Sequence, residues 1–283
     1  MIGLVQIFAV GLVVAWVGVV LYVAWSLGRV PRYTYGSAVA RGKPGDPSEL
    51  DRPAAFESWR TRAWSCAVWE IEGDDPGGPV VVMTHGWSRS GIDALVRFEA
   101  VRGVVSKVVA WDLPGHGESG GKCELGAGEW GVLVEIVERL QGEDVEAEEA
   151  RLEALGDTDL DDEGASSALP EGERPVVLYG WSMGAGVTLE AAAALAGTGR
   201  VSGVVAESPY SLVRTPARNV MREMGVPWRT TLGPALFWVG LFRAKGPLWR
   251  GFDRREIAAE VDAPVLVVHG DADEICPVED GRE

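Results

Sequence analysis

The chain has 283 residues, of which 47% are hydrophobic and 24% charged, a balance that supports a packed globular core and excludes a disordered chain. Its net charge of −16 excludes a nucleic-acid partner, because phosphate binding needs a basic surface. Cys66, Cys123 and Cys276 form no C-x-x-C pair and read as free thiols of a reducing compartment.

Residues 2–27 contain no charged side chain, and Gln6 and Ser26 are their only clearly polar members. As a helix this stretch reaches ~39 Å, enough to cross a hydrocarbon core of ~30 Å with some tilt. Tyr22 and Trp25 suit interfacial anchoring. No Lys or Arg precedes the run and Ala24-Trp25-Ser26 is a poor cleavage site, so an uncleaved anchor is expected rather than a signal peptide. Arg29, Arg32, Arg41 and Lys43 follow the span and place the rest of the chain on the cytoplasmic side by the positive-inside tendency. Residues 28–62, punctuated by Pro31, Pro44, Pro47 and Pro53, read as a stalk and lead-in.

Beyond residue 62, strands are expected at 64–71, 79–84, 104–111, 176–179, 201–206 and 264–268. Most are continuous Val-rich runs, the pattern of strands buried on both faces. Helical patterns lie between them at 91–101, 129–140 and 185–196. This alternation predicts an α/β domain over 63–283, with a mostly parallel sheet and helices on both faces.

Two segments depart from it. Residues 142–173 hold eight Glu and five Asp against Arg151 alone and are expected to be a solvated acidic loop. Asp157, Asp159, Asp161 and Asp162 are spaced like calcium ligands, but no glycine or glutamate falls where an EF-hand needs one. Residues 208–258, broken by Pro209, Pro216, Pro227, Pro234 and Pro247, are expected to form a helical cap over the strand ends. Trp228, Phe237, Trp238, Phe242 and Trp249 in this cap either line an acyl pocket or simply pack it onto the sheet.

Gly180-Trp181-Ser182-Met183-Gly184 is a G-x-S-x-G directly after a strand and directly before a helix. A serine there needs a sharp turn to lift its Oγ off the sheet, and the two glycines remove side chains that would collide. The helix N-terminus favours negative charge developing beside it. Ser182 is therefore the candidate nucleophile.

Four stretches, in order, carry a family resemblance: Thr84-His85-Gly86-Trp87; Asp112-Leu113-Pro114-Gly115-His116-Gly117-Glu118-Ser119; the turn at Ser182; and His269-Gly270-Asp271-Ala272-Asp273. Over 63–283 the chain resembles the serine-hydrolase branch of the α/β-hydrolase superfamily, which includes lipases, esterases, thioesterases and peptidases. The resemblance implies an oxyanion hole from the backbone N–H groups of Trp87 and Met183, and a catalytic acid at Asp273, with Asp271 the near alternative. It gives His85, Asp112 and His116 structural roles.

The expected order is Ser, Asp, His. No histidine follows Asp273, and His85, His116 and His269 occupy other motif positions. Two expectations stay open. One is a hydrolase whose last helix, last strand and catalytic histidine are missing from this sequence. The other is a non-catalytic, membrane-localised binding protein. The substrate expected for the enzyme is an ester or thioester with a lipid-like acyl chain, and a membrane-bound peptidase is the nearest enzymatic rival. No metal, nucleotide or flavin cofactor is implied.

Overall fold

The computed structural model describes residues 2–50, 54–62, 64–142 and 174–283. Seven strands form one sheet in the order β1-β2-β4-β3-β5-β6-β7. They are β1 (Ala54–Arg60), β2 (Ser65–Glu72), β3 (Val80–Thr84), β4 (Lys107–Trp111), β5 (Val176–Trp181), β6 (Val201–Glu207) and β7 (Val265–Val268). From β4 through β7 every pairing is parallel, whereas β1–β2 and β2–β4 are antiparallel.

The order follows from composition. Val80-Val81-Val82-Met83-Thr84 is buried at every position, so β3 belongs at the sheet centre with helices on both faces. All six expected strands lie where the apolar runs place them, with ends shifted by a few residues, although β7 is exposed rather than buried on both faces. β1 is an addition. It lies within 28–62, where the sequence points to a stalk. Only Trp59 of its seven residues is buried, so it carries no alternating pattern to betray it; pairing with β2 defines it.

The helices are α1 (Ile2–Gly28), α2 (Tyr35–Val39), α3 (Leu95–Val101), α4 (Trp130–Leu140), α5 (Met183–Ala194), α6 (Arg214–Glu223), α7 (Trp228–Arg243), α8 (Arg254–Ala258) and α9 (Val278–Arg282). Helix α5 is buried along its first ten residues, packed beneath β5 and β6. Helices α6 and α7 stand between β6 and β7 in sequence, in the region expected to form a cap. Of the acidic segment expected at 142–173, residues 143–173 lie outside those described.

Helix α1 is long and apolar enough to cross a membrane. Its residues 4–19 are exposed along their whole length, while Val20 and Val23 are buried. Its second half packs along α7, whose buried face includes Leu232, Ala235, Leu236 and Val239. The opposite face of α7 exposes Phe237, Trp238, Leu241 and Phe242, and the rings of Trp238 and Phe242 stack at 5.5 Å. At the sheet edge all four residues of β7 are exposed.

Candidate active site

The turn between β5 and α5 is forced by its glycines. A Cβ on Gly180 would run into the carbonyl oxygen of Gly184, and one on Gly184 into that of Thr84. Between them Ser182 adopts φ 54° and ψ −118°, a left-handed backbone that costs a non-glycine residue about 1–3 kcal/mol. Its amide donates to the carbonyl oxygen of Glu207 at 2.8 Å, which ties the strained residue to the end of β6.

Gly86 lets the loop after β3 approach this turn, since a Cβ there would stand 3.3 Å from the Cβ of Ser182. Among the described residues neither the backbone N–H of Trp87 nor that of Met183 donates a hydrogen bond. Trp87, Ser182 and Met183 together line one cavity of about 580 Å³. Unpaired donors on residues that line an apolar cavity can hold an oxygen that gains negative charge.

Asp273 is not part of that lining. Its Oδ1 accepts the N–H groups of Ile275 at 2.9 Å and Cys276 at 2.8 Å, while its Oδ2 bonds to nothing among the described residues. The turn so formed carries Ile275 into the cavity wall and sets Cys276 Sγ 3.8 Å from Ser182 Oγ. Burial pushes the Cys276 thiol up to about 12, so it stays protonated near neutrality and cannot take a proton from Ser182. Asp271, the alternative acid, is exposed.

None of the three histidines bonds to Ser182. His85 is fully buried; its Nε2 accepts the N–H of Leu113 at 2.9 Å, which leaves Nδ1–H to donate to the Gly86 carbonyl oxygen at 2.8 Å. His116 meets it edge-on at 4.9 Å between ring centroids. Burial holds His85 down at about 4 and His116 down at about 3, the latter lowered further by the neighbouring His85. His269 Nε2 pairs with the Cys276 carbonyl oxygen at 2.7 Å. Asp112 is equally occupied: Oδ1 accepts the N–H of Gly91 at 2.6 Å and Oδ2 that of Glu118 at 2.7 Å. Burial raises its pKa despite these bonds.

Two features of the site escaped the sequence reading. Cys276 lies three positions beyond Asp273, on the same turn, and that spacing was the available signal. The other is the cavity wall made by the end of α1, from Tyr22 to Leu27, and by Arg29 just after it, which no local pattern reveals.

A mostly parallel sheet, with a serine held at left-handed φ between a strand end and a helix N-terminus, defines an α/β-hydrolase fold. The chain belongs to the α/β hydrolase family, whose pattern matches residues 81–282. An esterase from Pyrococcus furiosus superposes with a TM-score of 0.58 at 17% identity, covering 91% of this chain and 82% of its own. An α/β hydrolase from Vibrio vulnificus gives 0.56 at 19% identity, covering 88% and 76%. An N-acyl homoserine lactonase, crystallised with N-hexanoyl homoserine, gives 0.51 at 20% identity, covering 81% and 82%. No curated protein sequence matches the chain. Family membership points to hydrolysis as the reaction class.

Proposed function

We propose that this protein is a membrane-anchored serine hydrolase that cleaves a carboxylic ester or thioester, with a lipid-like acyl chain, through an acyl-enzyme on Ser182. The observation that carries the reading is the strained Ser182 at an apolar cavity, beside two N–H groups that are unpaired among the described residues. In this mechanism Ser182 Oγ attacks the acyl carbonyl carbon while a base takes its proton. The carbonyl oxygen becomes an oxyanion held by the N–H groups of Trp87 and Met183, each donor contributing about 3–4 kcal/mol to lowering the barrier. The leaving alcohol or thiol departs with the proton, and water then releases the acid.

Asp273, whose Oδ2 is unbonded among the described residues, would orient the base. His85, His116 and His269 are bonded elsewhere, so none of the three is placed to be that base. Residues 2–27 anchor the protein, and the basic residues after them favour a cytoplasmic catalytic domain.

One observation favours a second reading, a non-catalytic binding protein. A protonated thiol, that of Cys276, stands beside Ser182 where a base is needed. A fluorophosphonate probe on the protein in its native membranes separates the two. Labelling that disappears in Ser182→Ala supports the hydrolase; no labelling of the unchanged protein favours the binder. A membrane-impermeant version of the probe on sealed vesicles of known sidedness reports the orientation.

A further inference from the structure

The cavity at Ser182 is not enclosed by the hydrolase sheet and its caps alone. One wall is the last two turns of α1, from Tyr22 to Leu27, with Arg29 just beyond its end, and the facing wall is α6 with Val213 before it and Val226 after it. Ser182, Met183, Trp87 and Ile275 line it where the walls meet the turn after β5. The lining is almost wholly apolar, and Arg29 is the only charged residue among the described residues that line it.

The same helix continues away from the cavity as the uniformly exposed apolar stretch 4–19. The exposed apolar stretch and the pocket wall beside Ser182 are therefore parts of one continuous helix. Polarity is graded along it: Val23 and Leu27 line the cavity, Ser26 lies between them, and exposed Arg29 follows at the end, its guanidinium 5.2 Å from the Trp25 ring. The helix end is also bonded to the catalytic loop. Trp87 Nε1 donates at 3.1 Å to the carbonyl oxygen of Leu27, one of the terminal carbonyls that a helix cannot satisfy itself.

We infer that α1 is half of the substrate site as well as an anchor, and that this site takes a single-chain acyl lipid with an anionic head group. The chain lies along residues 22–27 with its methyl end toward the membrane-facing part of α1. Its carbonyl stands at Ser182 and its head group at Arg29. The lipid reaches the serine by sliding along α1, so its chain never has to cross water. This inference names the substrate class for the hydrolase proposed above and rests on that reading.

The test uses the full chain in phosphatidylcholine vesicles with palmitoyl lysophosphatidic acid bearing a diazirine near the end of its chain. After irradiation, cross-links are mapped by mass spectrometry. Labels are expected on 22–27 and on α6. They should fall about tenfold in Ser26→Trp and in Ala217→Trp, which fill the cavity from opposite walls, as expected when roughly two methylenes lose their site. Val10→Trp, on the exposed stretch, should leave them unchanged, and Ser26→Ala should restore them. Arg29→Gln should weaken labelling by the anionic probe but not by the corresponding diazirine monoacylglycerol.

Labels confined to 4–19, or labels on α6 indifferent to both filling substitutions, would overturn the inference. Pocket labelling that persists in Ser182→Ala, with no ester hydrolysis by the unchanged protein, keeps the lipid site and removes the hydrolase. Hydrolysis of a short soluble ester that survives both filling substitutions, with no pocket labelling, does the reverse.

Discussion

Ser182 combines a strained backbone with a position that nothing else in the chain can relax. Replacing it by glycine removes the side chain that makes φ 54° unfavourable, so Ser182→Gly is expected to raise stability by about 1 kcal/mol while abolishing acylation. Gly184 is the opposite case. Its Cβ would strike the carbonyl oxygens of Thr84, at the end of β3, and of His85 just after it, backbone atoms that cannot swing away as a side chain could. Gly184→Ala should cost about 3 kcal/mol, near the top of the range for overpacking. Urea or thermal denaturation of the two variants in detergent checks the pair. Equal destabilisation by both would mean that the turn stores no strain.

At the scale of elements, the ends of β5 and β6 are held by a cluster behind the serine. Arg97 on α3 reaches Glu207 with Nε at 2.7 Å from Oε2 and Nη2 at 2.5 Å from Oε1, and Tyr179 donates to the same carboxylate at 2.8 Å. The guanidinium also lies 4.0 Å from the centroid of the Trp181 ring. Burial alone would raise the Glu207 pKa, but the hydrogen bond and charge of Arg97 outweigh it and hold the carboxyl below its usual range. Its stabilisation is therefore present above the ordinary carboxylate pKa and is lost as pH falls through the lowered value. Glu207→Gln should cost about 2 kcal/mol at neutral pH, because Arg97 then keeps only the more distant Asp93 carboxylate, at 3.5 Å, as its ionic partner. Under strongly acidic conditions the difference should vanish, and denaturation of both proteins across pH measures it. A gap that stays constant would show that the charge of Glu207 is irrelevant.

How legible these elements were depended on where their information lies. β3, β4 and β5 are written as uninterrupted apolar runs because both faces of each are covered, and the glycines around Ser182 mark a collision that only a tight strand-to-helix turn produces. β1 was illegible because its partner, not its own pattern, makes it a strand. The cavity was illegible for a related reason. α1 shows an all-round apolar helix in sequence, and nothing local marks 22–29 as facing α6 rather than lipid or α7. Motifs report the groups that do chemistry, whereas packing between distant segments decides what surrounds them.

For the molecule as a whole, its response to acid is set in part by two histidines it keeps buried and uncharged. Burial holds His85 down at about 4 and His116 at about 3, against about 6.5 for an exposed histidine. The unfolded chain therefore binds protons first. Above pH ~6.5 neither state is charged and the pair has no effect on the pH dependence; below it the unfolded state gains two protons that the folded state refuses. Stability should fall by about 2.7 kcal/mol per pH unit from these two groups between pH ~6 and ~4. His116 is the member to remove, because among the described residues its Nε2 is buried without a partner and its one ring bond, Nδ1 to the Pro114 carbonyl oxygen at 3.1 Å, is long. His116→Leu should cost about 1 kcal/mol at neutral pH through that lost bond. It should also halve the histidine-dependent slope below pH ~6.5, so that the two stability curves cross within about one pH unit below that point and the variant is the more stable at lower pH. Curves that stay parallel from pH ~7 to ~4 would mean that His116 is protonated or solvated in the folded protein, and that the loop beside Trp87 is less tightly packed than its buried rings imply.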